Sequence, residues 1–114
     1  MDDLVERNDL YYEKFTNVPF SGIVTGHEQG SFKNGERVGD WVGYHDNGQL
    51  SHEGNYKNGE KVGDWVGYFK GGDISYKGNL KNGKREGVWI YYLFAGFVVE
   101  DLTGTFKNGE KISD

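Results

Sequence analysis

A period of 24 residues organises this chain. Trp41, Trp65 and Trp89 recur at that spacing, and so do Lys33-Asn34-Gly35, Lys57-Asn58-Gly59 and Lys81-Asn82-Gly83. A fourth start, Lys107-Asn108-Gly109, follows the third by 26 residues, so the third unit carries a two-residue insertion. A fixed period in this range is the signature of repeat architectures, in which each short unit buries its apolar face only by stacking on its neighbours. The units read as 30–53, 54–77 and 78–103. An arm and a worn lead-in precede them over 1–29, and a partial unit follows over 104–114, all within one 114-residue domain.

Each unit reads as two strands and two turns. Asn-Gly between alternating segments is the strongest short hairpin signal, because a type I′ turn needs positive φ at both central residues and this pair supplies it cheaply. The second turns are Asp46-Asn47-Gly48, Lys70-Gly71-Gly72 and Phe94-Ala95-Gly96. Hairpins following one another with no helix between them predict an all-β fold, an elongated antiparallel meander of roughly eight strands. If Asn34-Gly35 and Asn47-Gly48 are both two-residue loops, Lys33 opposes Glu36, Phe32 opposes Arg37 and Gly30 opposes Gly39; Trp41 then opposes Gly54 and Gly39 opposes Tyr56. Each large ring lies across from a glycine, the arrangement in which a ring covers the gap left by a missing side chain. Alternation puts Phe32, Trp41, Leu50, Tyr56 and Trp65 on one face, and Val38, Val42, Tyr44, Val62, Val66 and Tyr68 on the other. The tryptophan face is the expected core.

Composition agrees with a thin sheet. Apolar residues are only 35% while aromatics are 16%, and 19 glycines accompany a single proline. Few aliphatics and many rings suit a sheet whose rings each cover a large area. With no cysteine, disulfide staples and thiolate metal sites are excluded. No apolar run approaches the ~18–20 residues of a spanning helix. Met1 to Arg7 lacks the basic and apolar regions of a signal peptide, so the expected location is the cytosol, or an exported compartment if such a segment has been removed.

Before the repeats, residues 1–9 read as a loose acidic arm docked by Leu4 and Val5, Leu10 to Lys14 as a strand, and Asn17-Val18-Pro19 as a turn. Gly22-Ile23-Val24 looks like a unit start that lacks its tryptophan.

The pattern Gly-x-Trp-(Val/Ile)-x-Tyr, a turn, then Gly-x-(Tyr/Phe/Leu)-Lys-Asn-Gly resembles the MORN repeat. It is most similar to the bacterial MORN-variant repeats assigned to the antitoxin side of toxin–antitoxin pairs. The likeness covers about residues 30–111, and about residues 10–29, beginning with Leu10 to Gly22, resemble the lead-in to such repeats. It departs at Tyr91–Val99, where apolar residues replace a polar second turn, and in the fourth unit, which has no tryptophan. The resemblance implies an elongated all-β sheet that binds proteins or, in some eukaryotic members, lipid. It implies no enzyme, and function does not follow from fold alone.

The net charge of −5 argues against nucleic acid as the partner. Its distribution says more. The windows 33–37, 57–61, 81–85 and 107–111 hold nine Lys/Arg against three Glu, and the rest of the chain holds four against fifteen Asp/Glu. Lys33, Arg37, Lys57, Lys61, Lys81, Lys84, Arg85, Lys107 and Lys111 are therefore expected along one turn edge. There they either protect the edge or steer an acidic protein or phosphate headgroups. Tyr44, Tyr68 and Tyr92 form a second candidate contact row, tyrosine being enriched at interfaces. The uncharged run Tyr91–Val99, with Phe94 and Phe97 about its turn, is either a cap folded back on the sheet or a contact tip. His27, His45 and His52 lack a third ligand and read as solvated polar residues. Asp40 and Asp64 recur in register, which suggests a structural role. No nucleophile elbow or phosphate loop occurs, so no catalytic residue, cofactor or metal is expected. The expected partner is a protein, with lipid as the alternative and homodimerisation through open edges or the Phe94/Phe97 tip also open.

Overall fold

The computed structural model describes residues 4–7, 10–13, 19–93 and 96–113. Two short strands, β1 (Leu4–Arg7) and β2 (Leu10–Glu13), form a separate antiparallel pair. The other nine make one antiparallel meander in chain order. They are β3 (Gly22–Val24), β4 (Glu28–Lys33), β5 (Glu36–Tyr44), β6 (Leu50–Lys57), β7 (Glu60–Tyr68), β8 (Ile74–Lys81), β9 (Lys84–Tyr91), β10 (Gly104–Lys107) and β11 (Glu110–Ser113). The all-β meander is as expected. The strand count is higher because part of the arm is itself a strand and Gly22–Val24 of the lead-in pairs with β4. Gly22 lies opposite Phe32 just as Gly39 lies opposite Tyr56, so β3 stands where a tryptophan strand would, with Val24 in the tryptophan's place.

The two turns of a unit differ in kind. Asn34, Asn58, Asn82 and Asn108 all have φ of 51–52°, each followed by a positive-φ glycine, the type I′ geometry read from the sequence. Each turn also bonds the unit before it: the Gly59, Gly83 and Gly109 N–H groups donate to the carbonyls of Arg37, Lys61 and Arg85 at 3.1, 2.9 and 3.0 Å. The second turn is not the two-residue loop expected. The His45 N–H donates to Gln49 O, the Gly48 N–H donates to His45 O, and only Gly48 has positive φ. That is a type I turn completed by a left-handed glycine. A one-residue irregularity between Gly43 and Tyr44 then restores the predicted pairing of Trp41 with Gly54. Leu50 accordingly pairs with Tyr44 instead of standing in the tryptophan row.

A second correction concerns Gly30, which does not oppose Gly39. Ser31 pairs with Val38 and Gln29 with Val42, so Gly39-Asp40-Trp41 face Gly30 alone. The same bulge recurs in β7 and β9. Gly39, Gly63 and Gly87 absorb it at φ of 71–75°. Two extra residues, unlike one, leave the alternation in phase, so the tryptophan face survives. The bulge also decides where each indole lies. Trp41 pairs with Gly54 on the following strand, but its ring lies on Gly30 of the preceding one; a Cβ at Gly30 would sit 2.2 Å from the indole. Trp65 covers Gly54 and Trp89 covers Gly78 in the same way. The Trp41 N–H donates to Ser31 O and Val38 O, and that of Trp65 to Asn55 O and Val62 O, so burial leaves no indole donor unsatisfied there.

These rings make the core. Trp41, Trp65, Trp89, Phe32 and Phe106 are 2–4% exposed. Phe32, Trp41, Tyr56 and Trp65 meet edge to face at 5.2–5.7 Å, a favoured aromatic geometry. Trp65 joins Leu80, Trp89 and Phe106 at the far end. At the near end Tyr11 and Phe20 close the column on Phe32, at 5.0 and 5.6 Å. The Tyr11 N–H donates to Gly35 O and that of Gly35 to Phe20 O, which seats the N-terminal pair over the first Asn-Gly turn.

Candidate binding surfaces

The expected basic edge divides in two. Lys33, Lys57, Lys81, Lys84 and Lys107 are exposed at the Asn-Gly turns. At one fixed repeat position Arg37, Lys61 and Arg85 lie against the rings, Arg37 and Arg85 half-buried and Lys61 with its other side exposed. The Arg37 guanidinium lies 4.8 Å from the Tyr11 ring, 5.0 Å from Trp41 and 5.4 Å from Tyr56, and pairs with Glu28 at 3.6 Å. Lys61 covers Trp65 at 4.8 Å; Arg85 covers Phe106 at 4.2 Å and donates to the Tyr91 hydroxyl. Lys111, one unit further on, donates to the carbonyls of Glu100 and Asp101. Arg37, Lys61 and Arg85 thus roof the core by cation–π contact. The alternation that puts their Cβ atoms on the tryptophan face was present in the sequence, but charge counting alone passes over it.

His52 departs from the solvated reading. Its ring lies over Gly43, stacks on Trp65 at 6.3 Å and bonds Glu28 through Nε2 at 3.0 Å. That hydrogen bond, helped by the Arg37 charge, holds the Glu28 carboxyl below the usual range against the opposing effect of burial. His45 bonds Tyr68 O at 2.7 Å and Asn47 donates to Lys70 O at 2.9 Å, tying consecutive second turns together. Among the described residues no group of three His, Cys, Asp or Glu is placed to hold a metal.

The opposite face has no layer over it among the described residues. Tyr44, Tyr68 and Tyr92 are half-buried along it, and the Tyr68 hydroxyl donates to Glu53 at 2.7 Å, which raises the phenol's pKa. Asp40 and Asp64 have the structural role their recurrence suggests: they accept from Asn55 and Asn79 across the strands at 2.8 and 3.1 Å. In the third unit Val88 takes the aspartate position, pairs with Thr105 and is 62% exposed. Two open recesses run along this face over Gly54 and Gly78, of ≈ 490 and ≈ 370 Å³. Sequence reasoning missed them, because they form where three strands bring residues 24 apart in the chain side by side.

At the second-turn end, the Leu93 N–H donates to Phe97 O and the Gly96 N–H to Leu93 O, as the matching residues of the other units do. The insertion is taken up afterwards, where the Leu102 and Thr103 N–H groups both donate to Val99 O. Phe97 is 69% exposed, Leu93 51% and Val98 45%, so these three side chains of the run lie open to solvent. Phe94 lies outside the described residues.

The chain matches no protein-family model, and no curated protein matches it significantly.

Proposed function

We propose that this chain is a non-enzymatic, MORN-like repeat scaffold that binds a protein partner and neutralises it by steric occlusion, in the manner of an antitoxin or immunity protein. The observation that carries the reading is the asymmetry of the sheet. One face is closed by its own rings, which are 2–4% exposed. The other carries half-buried valines and a half-buried tyrosine row with no layer over them among the described residues, and Val88 and Phe97 are exposed. Exposed apolar area of this kind on a small domain marks contact surface. Affinity purification from the native cell, with cross-linking, tests it. One stoichiometric protein cross-linked through the open face or around Phe97 is expected; recovery of no stoichiometric protein overturns it.

A lipid-associated scaffold is the second reading, supported by the five lysines that stay exposed at the turns. Flotation with anionic vesicles tests it. Charge reversal at Lys57, Lys81 and Lys84 should weaken electrostatic binding while leaving the ring-covering cations in place, and binding unchanged by it counts against this reading.

A further inference from the structure

We infer that the two recesses on the open face form one track for an extended peptide segment of a partner, a polyproline II stretch carrying a basic residue three positions from an apolar one. This deepens the protein-binding reading and rests on it.

The track follows from the strand pattern. Val42, Glu53, Val66 and Lys77 stand in one row across the strands, and the Asp40–Asn55 and Asp64–Asn79 pairs make a second row that the bulge breaks between β6 and β7, where Asn55 faces Val62 and Asp64 lies opposite Gly54. Between the rows lie the backbones of Trp41, Gly54, Trp65 and Gly78, whose side-chain positions point to the other face. The two recesses share Asp64 and Val66 and so run on from one to the next.

Their spacing selects the ligand's conformation. The floors at Gly54 and Gly78 are two strands apart, or about 9.4–9.8 Å. A polyproline II chain repeats a face every three residues, about 9.3 Å. A β-strand repeats a face about every 6.8 Å and an α-helix about every 5.4 Å, so neither places equivalent side chains in both recesses.

Their walls select its side chains. The Gly54 recess is bordered by Asp40, Glu53 and Asp64, none of them in an ion pair among the described residues. The Gly78 recess is bordered by the apolar Val66, Val88 and Ile90, with Val88 62% exposed, and by Asp64 and Lys77, whose opposite charges offset. A lysine or arginine fits the first and a leucine-like residue the second.

Fluorescence anisotropy with short labelled, proline-rich peptides tests this on the full chain. Arg-x-x-Leu is expected to bind at least tenfold tighter than Arg-x-Leu or Arg-x-x-x-Leu, and to weaken as salt is added. Val88→Arg and Asp64→Lys are exposed changes that leave the core intact, and each should cut binding at least tenfold. Asp64→Lys should also flatten the salt dependence of Arg-x-x-Leu binding, since the recess charge falls while Asp40 and Glu53 remain. Equal binding at all three spacings, or binding unchanged in both variants, overturns the inference. So does light scattering that shows the chain self-associating through this face and made monomeric by Val88→Arg, since the occupant is then a second copy. If the native partner is captured equally by wild type and both variants, the track is wrong but the protein-binding reading stands. Peptide binding with no native protein partner removes the neutralising role and leaves the track.

Discussion

Gly54→Ala tests the core most directly. Gly54 is not at positive φ, so alanine meets no backbone strain there, and any cost must come from contact. Its Cβ would lie 2.0 Å from Cδ2 of Trp65, which belongs to a ring 2% exposed and packed edge to face on Tyr56. The indole must lift, so overpacking costs about 1–3 kcal/mol. Lifting also weakens the N–H bonds to Asn55 O and Val62 O, worth about 0.5–1.5 kcal/mol more. The expected loss is about 2–4 kcal/mol, a large share of the ~5–15 kcal/mol of a typical domain. Urea unfolding followed by tryptophan fluorescence measures it. Gly71→Ala is the control, because nothing lies within 4 Å of a Cβ there and its φ is not positive; it should be neutral or stabilising by about 0.5 kcal/mol. A double-mutant cycle identifies the cause. In a Trp65→Leu background, the Gly54→Ala cost should fall below about 1 kcal/mol, since the atoms in conflict are gone. A Gly54→Ala loss no greater than that of Gly71→Ala, or a cost undiminished without the indole, refutes ring-over-glycine packing.

Three further outcomes are expected. Gly63→Ala, with open space around its Cβ but φ of 71°, should lose about 1–2 kcal/mol through backbone strain alone, as read by the urea midpoint. Arg37→Ala should destabilise by about 1–3 kcal/mol through lost ring and carboxylate contacts. Lys57→Ala, at an exposed turn, should stay within about 0.5 kcal/mol, and equal effects of the two would contradict the division of the basic set. Because Glu28 is held below its ordinary value of 4.5, the stability it contributes is complete above that pH and is lost as pH falls through its folded value. Glu28→Gln should therefore flatten the acid limb of a stability–pH curve below pH 4.5, and an unchanged limb would remove Glu28 from the account.

Much of this fold is local, which is why it was legible. Asn-Gly turns require only two residues with left-handed freedom, and all four appear where the sequence places them. Pairing of Trp41 with Gly54 and the assignment of the rings to the core follow from period and alternation. What depends on neighbours in space was not legible. The bulge at Gly39 exists because three residues of β5 must pass one residue of β4, and it moves each indole onto the preceding strand. Arg37 and Lys57 look alike in a charge count, yet one covers rings and the other meets solvent, since only one projects onto the tryptophan face. Glu28 and His52 meet although they stand 24 residues apart in the chain. The track over Gly54 and Gly78 is likewise made by residues from separate strands. Backbone propensity and periodicity, both properties of the chain alone, specify the repeat, the turns and the core face. Tertiary structure decided which charges are roof and which are rim, and which face stays open, because those depend on what the neighbouring strands bring within reach.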